Sequence, residues 1–177
     1  EGVATAKEAA ETAIKAVHQA GNLEKAKTDA KAALEKAAEK EKAEIRKDAS
    51  LTPDQRTAKE AEVDRVKGEK ETAITNAQNA DDVATAKGEG ITAIGEVHTN
   101  GSLDDVKAKA KEALDELAKA EKAKIEGDTG LTTAERTKQL SDLAEKVAEE
   151  KDKIAEAADA EGVATAKEAA ETAIKAV

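Results

Sequence analysis

The chain repeats itself. Residues 1–80 align with residues 81–160 without a gap, and about 31 of the 80 positions are identical. Val3-Ala4-Thr5-Ala6-Lys7 returns as Val83-Ala84-Thr85-Ala86-Lys87, Leu51-Thr52 as Leu131-Thr132, and Arg56-Thr57 as Arg136-Thr137. Glu161 to Val177 then copies Glu1 to Val17 letter for letter. The third copy therefore matches the first far better than the second does. This implies a super-repeat of two units copied together, and a fragment cut from a longer parent that carries many of them. Such a chain folds as units that each copy can form and that stack on their neighbours.

Within a unit the apolar spacing is helical and falls into three segments. Helix A is expected over Gly2 to Ala20, with Val3, Ala6, Ala10, Ala13 and Val17 stepping by three and four beside Ile14. Gly21, and Asn100-Gly101 in the second copy, end it where a helix accepts a left-handed residue. Helix B starts at the N-caps Asn22 and Ser102 and stops near Asp48 or Gly127. Helix C opens on Thr52-Pro53-Asp54-Gln55, a capping Thr, a Pro at the first helical position and a Gln three after the cap. Thr132-Thr133-Ala134-Glu135 spells the same cap. Its stripe is Leu140, Leu143, Val147, Ile154 and Ala157 in the second copy. The first copy has Val63, Val66, Ile74 and Ala77, but Glu60 and Lys67 break the pattern. At the C-to-A joint there is neither Gly nor Pro. Asn79 and Asp159 either cap a new helix there, or helix C runs on into helix A.

The fold class that follows is all-α: tandem three-helix bundles of about 80 residues each, stacked end to end into an elongated rod. The primary division is repeat 1 at 1–80, repeat 2 at 81–160 and the first helix of a third repeat at 161–177. A B-C-A phase, with units 18–97 and 98–177, fits the period equally well. In either phase one helix A is left over with an apolar stripe to hide.

Composition excludes several functions. Cysteine and all aromatic residues are absent, so there is no thiol chemistry and no platform for stacked bases. The net charge of -10 repels phosphate backbones, which argues against nucleic-acid partners. Apolar runs are too short to enter a membrane. The core is thin, because much of the 39% hydrophobic content is alanine. Binding hot spots favour Trp, Tyr and Arg, and the chain has only Arg46, Arg56, Arg65 and Arg136 of that set. Weak contacts repeated along many copies remain open through avidity.

The motifs have structural explanations. His18 and His98 share one place in each copy and suit the dipole of a helix C-terminus. Neither has a partner nearby in sequence for metal or catalytic work. Asp128-Thr129-Gly130 spells an aspartic-protease triplet, but that chemistry needs two such aspartates side by side in a β-fold. Gly88, Gly90 and Gly95 interrupt helix A of the second copy, and local softness is the simpler reading than tight packing. Asn100-Gly101-Ser102 is a glycosylation sequon that a turn and cap already explain. No catalytic, cofactor-binding or metal residue is expected, and the chain is expected not to be an enzyme.

The runs Val83-Ala84-Thr85-Ala86-Lys87, Ile91-Thr92-Ala93-Ile94 and Leu51-Thr52-Pro53-Asp54-Gln55-Arg56 resemble the domain-of-unknown-function 1542 repeats of Gram-positive bacteria. So does the Glu/Lys/Ala helix ending in Ile45. The resemblance covers the whole chain. It implies a helical stalk in a large cell-wall-anchored surface protein, outside the cell, holding an adhesive region away from the wall. The partners it implies are neighbouring repeats of the same chain. A binding module for a host matrix protein, or self-association in cell–cell adhesion, is the alternative, with the stripe of helix A as its place. A stress-protective, conditionally disordered helix is a third reading, against which the period and the paired caps speak.

Overall fold

A computed structural model describes residues 2–17 and 21–177. It is built of helices: α1 (Gly2–Val17), α2 (Leu23–Lys47), α3 (Pro53–Asn76), α4 (Ala80–Gly95), α5 (Leu103–Gly127), α6 (Thr133–Glu156) and α7 (Ala160–Lys175). No strand occurs among the described residues.

Each of the later helices starts where a side chain satisfies an orphan backbone donor. Asn22 accepts from the Lys25 N–H at 2.9 Å and Ser102 from the Asp105 N–H at 3.2 Å. Thr52 with Gln55, and Thr132 with Glu135, close capping boxes. Asn79 and Asp159 accept from the Asp82 and Gly162 amides, both at 2.8 Å. They cap new helices, so helix C does not run on into helix A. The chain turns extended at Ala77 and Ala157 instead. Both bundles share a further tie. Lys27 donates to the Thr75 carbonyl at 2.9 Å, and Lys107 to the Ala155 carbonyl at 2.7 Å, each at the C-terminal end of a helix C.

The helices pack in two groups, α2 with α3 and α4, and α5 with α6 and α7. The first core gathers Leu34, Ile45, Val63, Ile74, Val83 and Ile94. The second gathers Leu114, Leu143, Ile154, Val163, Ala170 and Ile174. In this grouping α4 packs against α2 and α3, and α7 against α5 and α6. None of the residues described in α1 is buried, and Val3, Ile14 and Val17 are 87%, 71% and 84% exposed. The reason lies in the connections. The B–C and C–A turns reverse the chain, while the longer link 96–102 carries it onward into the next bundle. His18 and the end of the first helix A fall at 18–20, outside the described residues.

Two other expectations change. Helix A of the second copy ends at Gly95, not at Asn100-Gly101. No described glycine takes a positive φ, so Gly21 and Gly101 are not left-handed caps. Glu60 and Lys67, which break the apolar stripe of α3, are used for ion pairs to α2. Arg46 holds Glu60 in two parallel bonds at 3.0 and 2.7 Å, and Lys67 pairs with Glu35. The matching positions of α6 are Leu140 and Val147, which line a shallow apolar groove with Ala118 and Leu143.

Candidate functional site: the junction between bundles

Where the bundles meet, the turn after α2 faces the link 96–102 and the start of α7. Asp48 is the C-cap of α2 and only 6% exposed. Its Oδ1 accepts from the Ser50 amide at 2.8 Å and the Ser50 hydroxyl at 2.6 Å. Its Oδ2 accepts from the Gly101 amide at 2.9 Å and lies 2.8 Å from His98 Nε2. Burial alone pushes this carboxyl up. The Ser50 hydroxyl, the Gly101 amide, His98 and the Ser50 amide together outweigh it and hold it well below the usual carboxylate range. An ionised carboxylate only accepts, so His98 Nε2 carries the proton and donates. The other ring nitrogen lies 3.8 Å from the Glu41 carboxylate.

Backbone groups complete the contact. The Ala160 amide, an orphan donor of the first turn of α7, donates across the junction to the Ala49 carbonyl at 2.8 Å. Lys59 on α3 donates to the Val97 carbonyl at 2.9 Å, tying the start of the link to the first bundle. Arg56 folds back to the Asp48 carbonyl, with Nη2 at 3.0 Å, and stiffens the turn. At Gly101 a Cβ would stand 2.1 Å from Ser50 Oγ and 2.9 Å from Ser50 Cβ. Glycine is required here by close approach, not by backbone handedness.

The residues singled out by sequence separate clearly. His98 is buried, three residues past the end of α4, and its partner is Asp48, fifty positions away. Asp128, Thr129 and Gly130 form an exposed turn in which Gly130 donates to Asp128 Oδ1 at 2.7 Å. Among the three glycines of α4, Gly88 and Gly95 face open space, whereas a Cβ on Gly90 would lie 2.6 Å from Leu34 Cδ2. Tight packing, not softness, accounts for Gly90.

Ser50, Asp48 and His98 form a chain of hydrogen bonds in the wrong order for hydrolysis. A nucleophilic serine needs the imidazole between it and the carboxylate. Here the carboxylate lies between, so the imidazole cannot take the hydroxyl proton. Among the described residues no group of three acidic, His or Cys side chains is placed to hold a metal ion, and no helix is long and apolar enough to cross a membrane. What the arrangement does is join one bundle to the next by hydrogen bonds between their turns. Sequence reasoning missed Asp48, Ser50 and Ala49 in this role. The available signal was that each copy carries an aspartate after helix B and a histidine after helix A.

The architecture is that of a tandem helical-bundle repeat protein. The family model described as Domain of Unknown Function (DUF1542) matches residues 26–102 and again 106–177. The chain belongs to that family, and each match runs from a B helix through the following A helix. No curated protein and no solved structure matches it.

Proposed function

We propose that this chain is a non-catalytic spacer, a stalk segment of a bacterial cell-surface adhesin that projects a distal adhesive region from the cell wall. The observation that carries the reading is the junction centred on Asp48. A flexible linker between bundles needs no buried carboxylate, no obligatory glycine and no amide donated across the contact. A spacer that must hold its length does need them, because each removes freedom between neighbours. Family membership supports the same reading, since tandem copies let length grow with repeat number. The folding unit in this proposal is B-C-A, 18–97 and 98–177.

Small-angle X-ray scattering over a concentration series tests it. The spacer predicts a monomer about 80–100 Å long, since each bundle contributes a helix of roughly 40 Å. A short, compact particle would mean that the bundles fold back on one another, and would overturn the proposal.

A further inference from the structure

The A helices of the two bundles are alike at the positions that build the cores. Val83, Ala86, Ala93 and Ile94 of α4 return as Val163, Ala166, Ala173 and Ile174 of α7. They differ where each crosses its helix C. α4 carries Glu89-Gly90 there and α7 carries Ala169-Ala170. The residue of helix C in register with them changes too, Lys70 on α3 and Glu150 on α6.

In the first bundle these residues fit one another closely. A Cβ on Gly90 would stand 2.6 Å from Leu34 Cδ2 and 3.1 Å from Lys70 Cβ. Lys70 Nζ reaches Glu89 Oε2 at 3.3 Å. In the second bundle Ala170 is fully buried and clusters with Leu114, the residue matching Leu34. That seat has room for a methyl that the first seat lacks. Glu150 is 3% exposed and accepts from Lys153 of its own helix at 2.9 Å, and Ala169 brings no charge towards it.

The combinations do not interchange. In the α2–α3 seat, Ala170 would drive its methyl into Leu34 and Ala169 would leave Lys70 without its carboxylate. In the α5–α6 seat, Glu89 would set a second carboxylate beside the buried Glu150, and Gly90 would leave a void the size of a methyl. The Lys70–Glu89 pair lies partly in solvent and contributes little alone. The methyl contact and the buried carboxylate supply most of the discrimination.

We propose that these residues are matching keys: each groove between a B and a C helix is specific for the A helix that follows it and rejects the A helix of the other repeat type. Tandem copies are prone to exchange equivalent helices and misassemble. Along this chain the key alternates, Ala9-Ala10, then Glu89-Gly90, then Ala169-Ala170, so adjacent A helices never carry the same one. Specificity of this kind needs a repulsive contact in the wrong seat as well as a good one in the right seat. The inference goes beyond the spacer reading and holds whether the joint between bundles is stiff or loose.

The test exchanges the keys in the full chain and reads the urea midpoint by far-UV circular dichroism. Glu89→Ala with Gly90→Ala puts the α7 key on the first bundle. It should lower the midpoint, although both changes favour a helix. Ala169→Glu with Ala170→Gly puts the α4 key on the second bundle and should lower the midpoint as well. Helix propensity alone would do that, so the deciding variant adds Glu150→Lys. This change should raise the midpoint of the grafted chain and lower that of the native chain, a coupling that loss of structure alone does not give. A raised midpoint for Glu89→Ala with Gly90→Ala would overturn the proposal. So would a shift from Glu150→Lys of the same sign and size in both backgrounds.

Discussion

Asp48 and Asp128 hold the same place in successive copies and live in different surroundings. Both end a B helix, and both accept from an amide two residues on, at 2.8 and 2.7 Å. Both carbonyls are held by an arginine Nη2 eight residues later, at 3.0 and 2.8 Å. The local turn is thus the same with or without a neighbour. Only Asp48 also meets His98 and Gly101, and only it is buried. The effect reaches inward: Ile45 and Ala38 are 0% and 1% exposed, while Ile125 and Ala118 are half-buried. At the opposite pole the contrast recurs, with Ala160 buried at the junction and Ala80 exposed. Helix ends are written locally, whereas the burial of a bundle's ends is supplied by its neighbour.

The largest expected difference between the two ends is in the core beneath them. Ile45→Ala should cost about 2–5 kcal/mol in urea unfolding, and Ile125→Ala less than half of that, because the second site can already reach solvent. Equal costs would mean that the junction does not seal the first bundle. Next comes the carboxylate. Asp48→Ala strands the Gly101 amide and the imidazole, and should cost roughly 2–4 kcal/mol, against under about 1 for Asp128→Ala.

The same group sets a pH dependence. Its pKa is depressed in the folded chain, so its contribution is present above the ordinary carboxylate value and fades as pH falls through and below it. His98 and Glu41 are the other titratable groups facing it in the cluster. Unfolding curves of wild type and Asp48→Ala should therefore converge towards the acid end, at pH below about 4. A constant gap between pH 7 and the acid limit would contradict the assignment.

Gly101 and Gly21 sharpen the comparison further. Gly101→Ala drives a methyl into Ser50 and should cost about 1–3 kcal/mol, while Gly21→Ala, with nothing within 4 Å, should stay within roughly half a kcal/mol. The smallest effects separate two glycines of one helix. Gly88→Ala should stabilise by up to about 1 kcal/mol through helix propensity, and Gly90→Ala should lose that gain against Leu34. Thermal melts should show a raised Tm for Gly88→Ala and no rise for Gly90→Ala.

Much of this was legible in the sequence. Thr52-Pro53-Asp54-Gln55 and Asn22 marked helix starts because caps act over three residues, and the structure places them there. The phase of the bundle was not legible. A cyclic pattern A-B-C-A-B-C has no origin, and the proposed B-C-A phase rests on the seating of α4 against α2 and α3. The end of helix A was overrun by five residues, because Glu96 to Asn100 contain nothing that forbids a helix. Asp48 and His98 each looked ordinary alone. Their meaning is a contact between two loops fifty residues apart, which no local rule reaches.

The most direct test of the central claim is the distance distribution between one spin label on each bundle. The chain has no cysteine, so Lys40→Cys and Glu116→Cys, both exposed positions, take labels cleanly. Pulsed electron–electron resonance should give a single narrow distance for the otherwise native chain. It should give a broad one after Asp48→Ala, and the narrow one again after Asp128→Ala. A distribution already broad in the native chain, or unchanged by Asp48→Ala, would contradict a junction that fixes one bundle upon the next.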